Sequence, residues 1–261
     1  MTKVVHLETR EGIAIVTIDN PPMNVLSKQV SKELGEVFST IADDTSVVAA
    51  ILTGSGNRAF MAGADIKEFP SSLGMNKEEL KKKNKETHRV LNTIANLPKP
   101  TIAVLNGITF GGGCELALTC DIRIAEEHAK IGLPEVKLGL FPGGGGTQRL
   151  PRLIGPAKAK ELMFSGDPLT ADEALKIGLV NHVVTTGEGM QMALKIALKI
   201  SGYSLQALSR IKEAVNTSQQ TSLEEGLEVE SELFAEVFGT EDVREGVQAF
   251  IEKRSPVFKH R

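Results

Sequence analysis

The sequence predicts an α/β fold, with a core of repeated ββα units carrying helices on the sheet faces and a helical C-terminal module behind it. Three observations point there. β-branched apolar runs alternate with amphipathic stretches as far as Gly155. Near 106–121, a strand-like run passes through a glycine-rich junction into a helical pattern. From Pro156 onward nearly every segment has the 3.6-residue period of a helix.

Val4–Glu8 and Ile13–Ile18 flank Arg10-Glu11-Gly12 and read as a hairpin. Pro21-Pro22 stops that sheet, and Ser27 can cap a helix from Lys28 to about Ala42. Val47–Leu52, bounded by Gly54 and Gly56, reads as a buried strand, and Arg58–Ala64 as a tight loop of small residues. Asn76–Leu97 is a charged amphipathic helix ended by Pro98 and Pro100, and Lys81-Lys82-Lys83 reads as its solvated face. Next come a strand over 101–105, a helix over 112–119, a strand over 122–125 and a short strand near 130–132. Beyond Pro156, helices are expected at Ala157–Phe164, Ala171–Ile177, Gly189–Ile200, Leu205–Thr217, Leu223–Phe238 and Asp242–Glu252, with Leu179–Val184 as the one strand. A boundary near 200–204 divides a core (1–200) from a helical module (201–261), which packs on the core or on a neighbouring subunit. In 223–238, Leu223, Leu227, Glu230, Phe234 and Val237 fall on one helix face, expected to be buried.

Composition narrows the function classes. The 261 residues suffice for a sizeable core without staples, and 41% hydrophobic with 24% charged residues is ordinary for a soluble globular protein. A net charge of −3, no Trp and one Tyr give neither a basic field nor stacking platforms for nucleic acid. No apolar run reaches membrane-spanning length, and the N-terminus lacks the apolar region of a signal peptide. Cys114 and Cys120 suit neither a short-range disulfide nor a zinc knuckle, and read as thiols in a reducing cytoplasm. Scattered histidines give no metal-ligand pair, so no metal is expected.

Three segments can carry chemistry. They are Phe60-Met61-Ala62-Gly63-Ala64-Asp65 after a buried strand, the helix start Gly111-Gly112-Gly113-Cys114-Glu115, and Leu133-Pro134-Glu135 with Pro142 to Arg149. Junctions that follow buried strands can converge in an open α/β sheet, which would bring two sets of backbone N–H groups and two carboxylates into one cleft. Paired N–H donors suit an oxyanion, and neighbouring carboxylates supply acid and base while splitting each other's pKa. Each segment also has a plainer reading. Glu115 alone can be a first-turn dipole partner, and Glu135 a surface acid after a proline. Cys114, at a helix start, is either a thiol of lowered pKa or a buried packing residue. The glycines of 143–146 resemble a phosphate loop but lack its Gly-Lys-Ser/Thr ending. Neither glycine cluster completes Gly-x-Gly-x-x-Gly, because Leu116 and Gln148 stand at the last position.

In order and spacing, Phe60-x-Ala62-Gly63-Ala64-Asp65-Ile66-Lys67, Lys99 to Gly107, Gly111 to Leu116, Pro134-Glu135, Gly143 to Arg149 and Phe250 to Arg254 together resemble the enoyl-CoA hydratase/isomerase (crotonase) family over nearly the whole chain. The resemblance implies a crotonase-like core of ββα units, a C-terminal helical trimerisation module and a homohexamer built as a dimer of trimers. It implies acyl-CoA thioester substrates and no cofactor beyond the coenzyme A of the substrate itself. By the same resemblance, the N–H groups of Ala64 and Gly112 hold the thioester oxygen. Glu115 activates water for attack on C3, Glu135 delivers a proton to C2, and Gly143 helps place the water or Glu135. Ala62, Asp65, Ile66 and Lys67 lie along the substrate, Lys253 near the CoA phosphates, and Phe234 and Phe250 near its acyl or CoA end. With both acids present, the expected activity is hydration of trans-2-enoyl-CoA in fatty-acid β-oxidation. The alternatives are a Δ3,Δ2-enoyl-CoA isomerase, a hydratase for branched substrates, or a non-catalytic acyl-CoA- or RNA-binding member of the fold. Pro70–Lys85 and Asn20–Ser27 shape the pocket without revealing its acyl preference.

Overall fold

The structure, a computed structural model, describes residues 2–261. In chain order it runs β1 (Val5–Arg10), β2 (Ile13–Ile18), α1 (Lys28–Asp43), β3 (Ala49–Gly54), β4 (Ala59–Met61), α2 (Lys77–Ala95), β5 (Thr101–Leu105), β6 (Ile108–Phe110), α3 (Gly112–Ala117), β7 (Ile122–Glu126) and β8 (Lys130–Gly132). It continues through α4 (Gly146–Ile154), α5 (Pro156–Ser165), β9 (Leu169–Thr170), α6 (Ala171–Lys176), β10 (His182–Val184), α7 (Gly189–Ser201), α8 (Leu205–Ser218), α9 (Leu223–Phe238) and α10 (Glu241–Glu252). Tight 3-10 turns lie at Ile66–Glu68, Pro70–Ser72 and Glu135–Leu138.

The expected ββα repeat is present. A six-stranded sheet in the order β1-β2-β3-β5-β7-β10 stands beside a four-stranded sheet, β4-β6-β8-β9. Strands β3, β5 and β7 of the larger sheet each hand the chain to β4, β6 and β8 of the smaller one before the next helix. Among the described residues pairing is antiparallel only at β1–β2 and β8–β9.

Period-two side chains split the larger sheet into two buried faces. Ile13, Ile15, Ile51, Ile102, Val104 and Ile124 pack with Ala193 and Ala197 of α7. Ala14, Val16, Ile18, Leu52 and Ala103 face the other way, onto Leu34, Phe38 and Ile41 of α1 and Leu91 and Ile94 of α2. A one-residue slip would exchange the two faces, so the register is firmly set. Ser27 caps its helix as the sequence suggests, and a second cap appears at Asn76. Ser27 Oγ accepts from the Val30 N–H at 3.2 Å, and Asn76 forms a reciprocal capping box with Glu79.

Several expectations need correction. Arg58–Ala64 is not all loop: Ala59–Met61 is a buried strand, and β6 and β9 are further strands absent from the sequence reading. Two or three residues are too few to show alternation. The Gly146–Ile154 helix also went unread, because glycines open it and Pro151 lies inside it. Helix α3 has six residues, shorter than the expected 112–119, and β10 keeps only His182–Val184 of the strand placed at 179–184.

The expected buried face of α9 is not buried within the chain. Leu223, Leu227 and Phe234 are largely exposed, and the buried residue is Leu233, which points off that stripe. Among the described residues nothing buries that stripe. Phe234 instead packs on Phe238, with ring centroids 4.9 Å apart. The link from α8 to the strands is polar: Lys212 Nζ lies 2.9 Å from Asp121 Oδ2 and donates to the Lys99 carbonyl at 3.2 Å.

Candidate active site

The smaller sheet delivers two backbone segments to the head of one cleft. Leu26 bridges Ala64 in parallel fashion. The two bonds of that bridge run from the Leu26 N–H to the Gly63 carbonyl (2.8 Å) and from the Asp65 N–H to the Leu26 carbonyl (3.1 Å). In a parallel bridge the central residue's own N–H then points to the opposite side. Opposite lies the start of α3, where a Cβ placed on Gly112 would sit 3.6 Å from the Ala64 nitrogen and 3.3 Å from Leu26 Cδ2. Gly112 is the first helical residue, so its N–H has no intrahelical acceptor. Among the described residues neither N–H is engaged by a protein acceptor, and both residues line the same cleft.

Glu115 stands one turn into α3 and is 4% exposed. Its Oε1 accepts from the Gly146 N–H at 2.8 Å, and the Gly144 N–H supports the carboxylate as well. A Cβ at Gly144 would run into Glu115 Oε2, so only glycine lets that loop close on the carboxylate. Burial pushes the Glu115 pKa up; the two N–H groups, Arg149 and His88 act against it. Glu135 opens the third 3-10 turn, with its carboxyl against the start of α3: a Cβ on Gly111 would meet Glu135 Oε1 at 3.0 Å. Its Oε2 is buried with no hydrogen-bond partner among the described residues. Burial pushes Glu135 up to about 7, its own backbone N–H opposes this, and the neighbouring Glu115 charge adds to it. Two carboxyls of unequal environment therefore share one site.

The cleft has a volume of about 1620 Å³ and runs between α1, α2 and these segments. Of the residues singled out in the sequence, Ala64, Gly112, Glu115, Glu135 and Gly143 line it, as do Ala62, Asp65 and Ile66. Asp65 also caps the first 3-10 turn, its Oδ1 accepting from the Lys67 N–H at 3.0 Å. The structure does not bring the other four to the cleft of the same chain. The Lys67 side chain is exposed, Phe234 and Phe250 are 64% and 85% exposed, and Lys253 ends α10 in a left-handed conformation. Leu26 and Ser27 of the Asn20–Ser27 segment and Met75 of Pro70–Lys85 line the cavity wall. The Lys81–Lys83 run is only partly a solvated face, since Lys82 and Lys83 reach the cleft and Lys83 Nζ donates to Ser72 Oγ at 2.7 Å.

Cys114 and Cys120 are free and buried, and burial raises both thiols, Cys120 to about 12, so the reading of Cys114 as an activated thiol is set aside. Among the described residues no three His, Cys, Asp or Glu side chains gather where they could hold a metal ion.

Two side chains at the site had no sequence signal of their own. His88 Nε2 sits 2.6 Å from the Gly143 carbonyl, and Arg149 Nη1 donates to the Gly144 carbonyl at 3.2 Å. Arg149 closes the glycine-rich motif, whereas His88 lies on a helix whose charged pattern suggested only solvent.

The family model described as enoyl-CoA hydratase/isomerase matches residues 8–261. The chain is 46% identical over 251 residues to a short-chain-enoyl-CoA hydratase of Clostridium acetobutylicum, covering 96% of this chain and 95% of that one. It is 42% identical over 253 residues to a crotonyl-CoA hydratase of Syntrophomonas wolfei, covering 97% and 96%. Among solved structures, the crystal structure of an enoyl-CoA hydratase from Bacillus anthracis superposes with a TM-score of 0.93 at 39% identity, covering 99% of this chain and 100% of that one.

Proposed function

We propose roles for the residues of this cleft from one premise: the chain belongs to the enoyl-CoA hydratase/isomerase family. Its activity is enoyl-CoA hydration, the addition of water across the trans-2 double bond of an enoyl-CoA thioester to give the 3-hydroxyacyl-CoA. The observation that carries the site assignment is the pairing of two unengaged N–H groups with two carboxyls of unequal environment in one cleft.

Conjugation sets the chemistry. Attack of water oxygen on C3 sends the electron pair of the double bond through C2 to the thioester oxygen. The N–H groups of Ala64 and Gly112 hold that oxygen as its charge develops. Glu115, ionised between its two N–H donors, takes the proton that the attacking water releases. Glu135, kept protonated by burial, gives its proton to C2, and the carbonyl re-forms. The proton gained by Glu115 and the one lost by Glu135 return to balance through solvent. No group beyond the substrate's coenzyme A enters the sequence.

Crotonyl-CoA tests this reading. The purified protein should bleach the absorbance of the conjugated enoyl thioester; a protein that binds crotonyl-CoA and leaves the absorbance unchanged overturns it. Because Glu135 must carry a proton, kcat/KM should fall as pH rises through about 7. The sign for stability follows from the same shift. The folded chain holds this proton at pH values where an unfolded carboxyl of pKa 4.5 has lost it, so the Glu135 contribution to stability declines from about 4.5 to about 7.

The trimerisation module and homohexamer belong to this proposal too. Support comes from the apolar surface of the last helices, where Leu223, Leu227, Phe234, Phe238 and Phe250 are exposed on a chain of otherwise ordinary composition. Phe234, Phe250 and Lys253 would then serve a substrate only across a contact between copies. Sedimentation at micromolar concentration should give an oligomer, and a persistent monomer would count against it. We place the enzyme in a reducing cytoplasm because both cysteines are free, which fractionation of cells can check. Its substrate is the product of acyl-CoA α,β-dehydrogenation, as in fatty-acid β-oxidation. Growth on short fatty acids without the gene would remove that placement.

A further inference from the structure

We propose that Arg149 and His88 are positioning residues for Glu115: they clamp the carbonyl side of the 143–146 loop so that its N–H side closes on the carboxylate. The inference rests on the hydratase reading, in which Glu115 is the base.

The geometry runs through single peptide groups. The Gly143 carbonyl can only accept, so His88 carries its proton on Nε2 and donates across 2.6 Å. That carbonyl and the Gly144 N–H belong to one peptide unit, and the Gly144 N–H faces Glu115. The route is His88 N–H to Gly143 carbonyl, then Gly144 N–H to the Glu115 carboxylate. Hydrogen bonds in such a chain polarise one another, so a donor on the carbonyl strengthens the N–H at the far end. Arg149 acts on the next peptide unit. Its Nη1 donates to the Gly144 carbonyl at 3.2 Å, while its Nη2 donates to Asn92 Oδ1 on α2 at 2.7 Å. The guanidinium therefore ties α4 back to α2 across the outer side of the loop whose Gly146 N–H reaches Glu115 at 2.8 Å.

The glycines of the motif acquire separate reasons. Gly144 lets the loop approach the carboxylate, as described above. Gly145, at φ +106, lies where a Cβ would strike the Arg149 guanidinium, so its bare backbone is the gap through which that group reaches its carbonyl.

The charges facing Glu115 are consistent with the clamp. Arg149 from α4 and His88 from α2 favour its ionised form, against burial. Glu135 faces it from the 3-10 turn, and Cys114 adjoins it on its own helix as a thiol that burial keeps neutral.

The test is crotonyl-CoA hydration by the full chain, with kcat, KM and the pH dependence of kcat/KM measured for Arg149→Met, Arg149→Lys, His88→Phe and His88→Gln. Arg149→Met should lose about tenfold or more in kcat with KM changed less than about twofold, the pattern of an interaction realised in the chemical step. The acid limb of its profile should move to higher pH by about half a unit or more, because Glu115 is then harder to ionise. Arg149→Lys and His88→Gln keep a donor and should recover part of both effects, and His88→Phe should fall between wild type and Arg149→Met. A merely structural role would lower thermal stability or raise KM and leave the acid limb in place, and that result overturns the proposal. So does a wild-type profile in Arg149→Met. If Arg149→Met fails to fold, the comparison of His88→Phe with His88→Gln decides by the same criterion. The hydratase reading fails separately: a wild-type enzyme inert to every enoyl thioester refutes that reading, whereas an active wild type with a dead Glu115→Gln and an unaffected Arg149→Met refutes only the clamp.

Discussion

Glu115→Gln and Glu135→Gln should each lower kcat for crotonyl-CoA hydration by about 10²- to 10⁴-fold, the usual span for losing a positioned acid or base. The two losses arise differently. At Glu135 the amide fills the same space and has no proton acidic enough to reach C2. Its carboxyl also leaves Oε2 without a donor, so the amide should not weaken the fold. At Glu115 the amide oxygen can keep the 2.8 Å bond from Gly146, but its NH2 then confronts the Gly144 N–H, donor against donor. Glu115→Gln should therefore lose some thermal stability as well as its base, and Glu135→Gln should not. Steady-state assays with melting curves separate the two. Full activity in either variant would remove that residue from the mechanism.

The second large effect is expected at Gly112. Proline at the first position of a helix is ordinarily tolerated, since the N–H there has no intrahelical partner. Gly112→Pro deletes that one donor, which by the proposed mechanism is half of what holds the thioester oxygen. Loss of one such donor costs about 10²- to 10³-fold in kcat. The added ring also needs room, because a Cβ at this point already meets Leu26 Cδ2 at 3.3 Å. Gly112→Ala is the control: it brings the same Cβ but keeps the N–H, and should lose markedly less. Equal losses in the two variants would mean that the space at Gly112 matters and its N–H does not.

Much of this arrangement was legible in the sequence. The helices beyond Pro156 and the strands β1, β2, β3, β5 and β7 of the larger sheet are long enough for their period to show. Of the segments that line the cleft, Gly111–Glu115 was visible as a glycine-rich step from strand to helix, and Phe60–Asp65 and Pro142–Arg149 only as runs of small residues and glycines. Of the smaller sheet only the strand near 130–132 was visible; Ala59–Met61 and Ile108–Phe110 are too short to alternate and are fixed by pairing with each other. The face of α9 was misjudged for a related reason: periodicity says which residues align, and only packing says whether anything lies opposite them. His88 escaped notice, and Arg149 was read only as the end of a motif, because both act on backbone carbonyls, and a carbonyl has no letter in a sequence.

One detail of the resting site bears on how the protein ages and adapts. Among the described residues no donor reaches the buried Glu135 Oε2, and an acceptor left unpaired by its protein costs the fold about 1–3 kcal/mol. Against a typical total stability of about 5–15 kcal/mol this is a sizeable share. Robustness and reactivity therefore compete for the same carboxyl. Any sequence change that silenced it with an apolar side chain would be rewarded by a sturdier fold, and would be purged only where turnover itself is under selection. Bound substrate lies on the other side of that competition: a ligand that prefers the folded site holds the chain together in proportion to its concentration. The well-fed enzyme is then the more durable one.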